Sequence, residues 1–162
     1  RLYCMWGVCM SLTKLKDKVF TIINRIPTSA NNAQITAYRK HILAGCDVQT
    51  GFFDKSTGTM VYKANTWTAW TDDWENYKTP SWLDGDYYAL ESDKRDGYFT
   101  ANNGDLLIFD NIPDLAPTTT QEFQALVTKY KDLGGLITAA NIYINFKDGK
   151  PWKTNHIELI KG

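Results

Sequence analysis

The sequence predicts a mainly β domain: an antiparallel β-barrel or sandwich with one inserted amphipathic helix, at about 120–133, and long loops. Three observations predict it. Short runs of β-branched and aromatic residues alternate along most of the chain, turn signals rich in Gly, Asn and Asp separate them, and a single stretch has a clear helical period. The chain does not alternate strand with helix as a parallel sheet requires, and it has no internal repeat or low-complexity linker.

In KVFTIINRI (18–26), Phe20, Ile22 and Ile26 interleave with Val19, Thr21 and Ile23, which predicts a strand; a helix over 14–23 is the alternative, and Pro27 is expected to end either. PTSANNAQ reads as a loop. Strand-like alternation resumes at Ile35, Ala37 and Tyr38 and again from Ile42 to Val48, with Gly45 marking a bulge or bend. FFDKSTGTMVY predicts a hairpin that turns at 55–58. Further on, Asp96-Gly97 and Asn102-Asn103-Gly104-Asp105 are turns before Tyr98-Phe99 and before the apolar run 106–109. Thr119 with Glu122 forms a capping box, Phe123, Leu126, Val127, Tyr130 and Leu133 follow at helical spacing, and Gly134-Gly135 stops the run. LITAANIYINF and HIELIKG read as closing strands around a hairpin at Asp148-Gly149.

The 162 residues fit one domain, with 43% apolar, 14% aromatic and 22% charged residues, as in ordered globular chains. Residues 1–12 read as an N-terminal extension, with a natural start expected at Met10, and 13–162 as a single β-rich domain. Lys plus Arg and Asp plus Glu both number 18, so no long-range pull toward nucleic acid or acidic membrane comes from net charge. Lys14, Lys16 and Lys18 are too small a cluster to argue for nucleic acid. Cys4, Cys9 and Cys46 lack disulfide-framework or zinc spacing, and a reducing cytoplasm is the simplest setting. No apolar run reaches the length of about 18 residues that a membrane-spanning helix needs.

The residues offer little for catalysis. His41 precedes Cys46 by five positions, which on a regular strand places the two on opposite faces; a strand histidine and a buried cysteine are the plain reading. His156 reads as a solvent-side strand residue. Asp72, Asp73 and Glu75 beside tryptophans resemble glycosidase composition, yet also an exposed acidic turn. Phosphate-binding glycine motifs are absent. A non-enzymatic role, with no cofactor or metal, is the expectation. The Trp-rich stretch NTWTAWTDDWENYKTPSW admits a carbohydrate-binding platform, although Trp67, Trp70 and Trp74 would share a face only on a turn of helix. Interface anchoring is the competing reading.

Taken in order, DKVFTIINRI, AYRKHILAGCDVQ, SWL, DGYFTANNGDLLIF and NIYINFKDGKPWKTNHIELIKG resemble small structural proteins of tailed phages of Gram-positive bacteria, the stopper-like head-tail connector or minor capsid proteins. These share an opening strand ending in Asn, a Tyr-Arg pair, a Trp before a GYFT-x-x-x-GD strand pair and a closing HI-x-(L/V)-x-G strand. The resemblance covers about residues 17–162. It implies a non-enzymatic β-barrel subunit of a ring in the virion neck, assembled in the host cytoplasm, which retains the packaged genome and passes it through a central channel. The implied partners are copies of itself, portal or adaptor and tail proteins, and DNA held without sequence-specific contacts; a membrane is not among them. A tail-completion ring is the nearest alternative. Trp82 falls at the shared Trp and is expected in the core. Trp67, Trp70 and Trp74 fall in a stretch without a counterpart and are the candidate subunit-interface anchors.

Overall fold

In the computed structural model of the chain, the described backbone comprises residues 4–5, 8–9, 18–57 and 60–162, with side chains described for 18–49 and 66–162. The proposed N-terminal extension and Lys14 and Lys16 therefore lie largely outside the described residues. The short strands β1 (Cys4–Met5) and β2 (Val8–Cys9) pair with each other.

The main sheet contains β3 (Lys18–Ser29), β4 (Asn32–Thr57), β5 (Met60–Thr71), β6 (Leu106–Ile108), β7 (Gly134–Leu136), β8 (Ala139–Tyr143) and β11 (His156–Lys161). Its order is β7-β6-β3-β4-β5-β11-β8, and every pairing is antiparallel. The two marginal strands are consecutive in the chain. Between them the Ile137 N–H donates to the Asp105 carbonyl at 2.8 Å and the Thr138 N–H to the Ile160 carbonyl at 2.7 Å, so the ladder passes from β6 to β11 through one bent strand. Because β7 and β8 are halves of that strand, the seven-stranded sheet closes on itself as an antiparallel barrel of six staves. The β3–β4 and β4–β5 ladders share only Cys46, so β4 pairs with β3 alone before Gly45 and with β5 alone after Cys46.

Strand alternation sorts the apolar residues into two cores. Phe20, Ile22, Leu43, Leu107, Ile157 and Leu159 fill the barrel interior, while Ile23, Leu106 and Ile108 point outward beneath Phe123 and Leu126. Strand β3 is thus buried on both faces, which explains its near-continuous apolar composition. The outer cover is α1 (Thr120–Lys129), started by the expected capping box: the Thr119 hydroxyl accepts from the Glu122 N–H at 3.2 Å, and the Glu122 carboxylate accepts from the Thr119 N–H at 3.3 Å. A third cluster joins Ile26, Tyr87 and Tyr88 to half-buried Trp82, close to the core position expected for that Trp.

Several boundaries differ from the sequence reading. Pro27 does not end β3; register shifts on either side of it carry the strand on to Ser29, because a bulge spares the ladder the N–H that proline lacks. The expected loop PTSANNAQ shrinks to the turn Ala30-Asn31, closed by the Ser29 and Asn32 pair. The helix stops at Lys129, four residues early, and Leu133 is exposed. Gly134-Gly135 belong to β7 instead: a Cβ on Gly134 would lie 2.0 Å from the Leu107 carbonyl oxygen, so only glycine lets the bent strand approach β6. Tyr98 and Phe99 make no strand, just one bridge between Phe99 and Tyr77.

The expected bend at Gly45 is present. Its φ is +58°, and the β3–β4 register shifts between the pairs Phe20–Leu43 and Lys18–Cys46. Here β4 leaves β3 and takes up β5. Two-residue strands β9 (Phe146–Lys147) and β10 (Lys150–Pro151) form the expected hairpin at Asp148-Gly149, whose φ values of 53° and 74° are those of a tight primed turn.

Candidate assembly surface

Beyond the barrel, β4 and β5 continue as a two-stranded ribbon. Pairs run from Phe52–Asn65 to Thr57–Met60, while β3 pairs with β4 only as far as Cys46 and β11 with β5 only from Trp67 to Thr71. Six residues of strand project about 20 Å. The hairpin expected in this segment is present, and its pairing runs past the expected turn at 55–58 to Thr57–Met60; residues 58 and 59 lie outside the described residues. Among the described residues, no third strand pairs with the outer edges of the Phe52–Thr57 and Met60–Asn65 ribbon.

The three candidate tryptophans do not converge. Trp67 and Trp70 sit on β5, three residues apart and so on opposite faces. Trp67 points into the barrel, is 2% exposed and meets Phe109 edge-on at 5.2 Å, so it is a core residue with no surface to offer a neighbour. Trp70 points outward between its cross-strand partners Asp47 and Glu158. Trp74 lies on a 3-10 turn, Trp74–Asn76, and packs edge-on against Phe146 at 6.1 Å. A planar three-ring sugar platform is not formed.

The larger apolar surface was not singled out from sequence. Of the nine large apolar side chains exposed among the described residues, four lie between 142 and 152: Ile142, Tyr143, Phe146 and Trp152. The aromatic ones among them, with Trp74 packed on Phe146, make a rim beside the β9–β10 hairpin. Clustering of this kind marks interaction surfaces more often than scattered exposure does. The signal was legible as FKDGKPWK, where aromatic and basic residues alternate around a turn.

Two of the segments that carry the family resemblance, DKVFTIINRI and DGYFTANNGDLLIF, meet in one buried network. Asn24, at the end of INR, donates from Nδ2 to the Thr100 carbonyl at 2.7 Å and to Asp105 Oδ2 at 2.9 Å. Asp105 also accepts from the N–H of Arg25 at 2.9 Å and of Asn102 at 3.0 Å. Burial pushes its carboxyl up to about 6, against the opposing pull of those hydrogen bonds. The Tyr38-Arg39 pair is likewise tied down: Tyr38 stacks on Phe123 and its hydroxyl donates to Thr120 Oγ1 at 3.1 Å, while Arg39 binds Asp96 at 2.6 Å and the Ser92 carbonyl at 2.7 Å.

The histidines, the cysteine and the carboxylates of the Trp-rich stretch are spread over several elements. Cys46 is wholly buried, burial raises its thiol to about 12, and it donates to the carbonyls of Leu43 and Ala44, so no thiolate is available. The Gly45 bulge overturns the face argument: Cys46 joins the barrel core, and His41, opposite Ile22 and stacked on Phe99 at 5.4 Å, lies on that same side. His41 Nε2 lies 3.6 Å from Asp73 Oδ2, while Asp73 Oδ1 accepts from Asn76. Asp72 sits over Gly45, and Glu75 is exposed. His156, a half-buried residue of the inner strand β11, stacks on Tyr143 at 4.8 Å. Among the described residues no group of three His, Cys, Asp or Glu could hold a metal ion, and no helix is long and apolar enough to cross a membrane.

No protein-family model, curated protein or solved structure matches the chain. What stands is the class the fold defines: a closed antiparallel barrel with one capped helix, a projecting ribbon and an aromatic rim.

Proposed function

We propose that this chain is a ring-forming virion structural subunit, a stopper-like head-tail connector at the portal-tail junction that retains the genome and lets it pass. The observation that carries this reading is the buried network around Asp105. Two segments on which the resemblance rests, INR and GYFTANNGD, are joined there by hydrogen bonds, as expected if those residues form a shared scaffold. The projecting ribbon and the outward face carrying Trp70 and Trp74 supply what a ring subunit needs: two different surfaces on one chain, able to meet head to tail in a heterologous contact. Trp70 and Trp74 remain the anchors offered to a neighbour. No reaction is assigned.

The test is assembly. Full-length chain is expected to form closed rings, alone at high concentration or on a portal-adaptor complex, and a variant with residues 52–65 replaced by a two-residue turn is expected to fold but not to assemble. A chain that stays monomeric under all these conditions, and whose Trp fluorescence shifts with oligosaccharide, would overturn the reading in favour of a carbohydrate-binding module.

A further inference from the structure

The β9–β10 hairpin concentrates charge that the rest of the molecule does not use. Lys147, Lys150 and Lys153 stand against one acidic residue, Asp148, in a chain whose net charge is zero. Among the described residues none of the three lysines forms an ion pair or hydrogen bond; the ion pairs present belong to Lys18, Arg39, His41, Lys94 and Lys129. Lys147 and Lys150 are direct cross-strand partners, and like charges opposite each other destabilise a strand pair. The primed turn fixes that register, so the two ammonium groups cannot escape by slippage. The base of the hairpin is held by the Trp152 N–H donating to the Asn145 carbonyl at 3.0 Å and by Phe146 against Trp74. With Asp148, Pro151, Trp152 and Thr154, the lysines line one shallow depression.

We propose that this hairpin is a contact for the phosphate backbone of duplex DNA, with Lys147, Lys150 and Lys153 each neutralising a phosphate and Trp152 setting the floor between them. The proposal deepens the connector reading and rests on it for the choice of polyanion. Duplex DNA carries about one negative charge per 1.7 Å of its axis, a density that suits closely spaced ammonium groups better than the isolated carboxylates of a protein surface do. Lysine is a point charge on a flexible stem and reads no sequence, which fits DNA that slides. DNA also relieves the opposition between Lys147 and Lys150, so binding recovers stability that the free hairpin forgoes.

Anisotropy of a fluorescent, mixed-sequence DNA duplex titrated with full-length chain over a salt series tests this. Three phosphate contacts predict a slope of log K on log salt of about −2.7 per chain. The variant K147Q/K150Q/K153Q is expected to lose the binding and the slope with its thermal midpoint equal to or above that of the wild type, and K147R/K150R/K153R is expected to keep the binding and the slope. Equal binding by wild type and the Gln variant, or no binding of wild type at low salt, overturns the proposal. So does polyglutamate binding as tightly as the duplex, which would make the hairpin a dock for acidic protein. A chain that binds duplex but never assembles contradicts the ring reading alone; one that assembles without binding duplex contradicts this inference alone.

Discussion

At Asp105, loss of water and gain of hydrogen bonds act on the same carboxyl, and they act in opposite directions. Burial raises its value from 3.8 to about 6, so the folded state holds a proton that the unfolded state releases in that interval. Stability from this group is therefore fully present below about 3.8 and falls as pH rises through about 6. Asp105→Asn removes the titration and turns one oxygen into a donor facing the N–H groups of Asn24, Arg25 or Asn102. Urea melts are expected to show it less stable by about 1–3 kcal/mol, with the wild-type advantage shrinking from pH 4 to pH 6. An advantage that grows over that range would contradict the balance of effects described. Gly45 supplies a second residue-level test. Its positive φ and the position of Asp72 Oδ1, 1.6 Å from where a Cβ would sit, predict a loss of about 1–3 kcal/mol for Gly45→Ala. Adding Asp72→Ala is expected to recover the steric part and leave the backbone part, read as a partial return of the urea midpoint.

Among the elements, α1 depends on its cap and on two buried side chains. Thr119→Ala removes the acceptor for the Glu122 N–H and is expected to cost about 1 kcal/mol, whereas Phe123→Ala, which empties the space beneath the helix beside Tyr38, is expected to cost about 3–5 kcal/mol. Equal losses in thermal or urea melts would show that the helix contributes no packing. This helix start and the Asp148-Gly149 hairpin were legible in the sequence because both are local: a cap needs four residues and a primed turn needs two. The bend at Gly45 was legible for the same reason. Pro27 misled because register is set by the partner strand, and a bulge absorbed the missing N–H. Of the three tryptophans named as anchors for lying in the stretch without a counterpart, Trp67 is excluded because β5 turns it inward, while Trp70, three residues on, points outward. The aromatic rim was overlooked because no periodicity marks it; it arises where β8 ends, a hairpin returns the chain and Trp74 arrives from another part of it.

For the whole molecule, barrel or sandwich was as far as alternation and turns could reach. Closure depends on Ile137 and Thr138 donating to carbonyls on opposite sides of the bent strand, and nothing in their own residue types announces it. The consequence is a barrel from which the ribbon and the hairpin rim extend. On the proposed reading, such a subunit assembles through the ribbon and the outward Trp70 and Trp74. The most direct test is negative-stain electron microscopy with native mass spectrometry of the full chain and of the chain lacking residues 52–65. Closed rings of uniform subunit number from the full chain, and folded monomers from the ribbonless variant, are the predicted result. Monomers from both at every concentration and with a portal-adaptor complex present would contradict it.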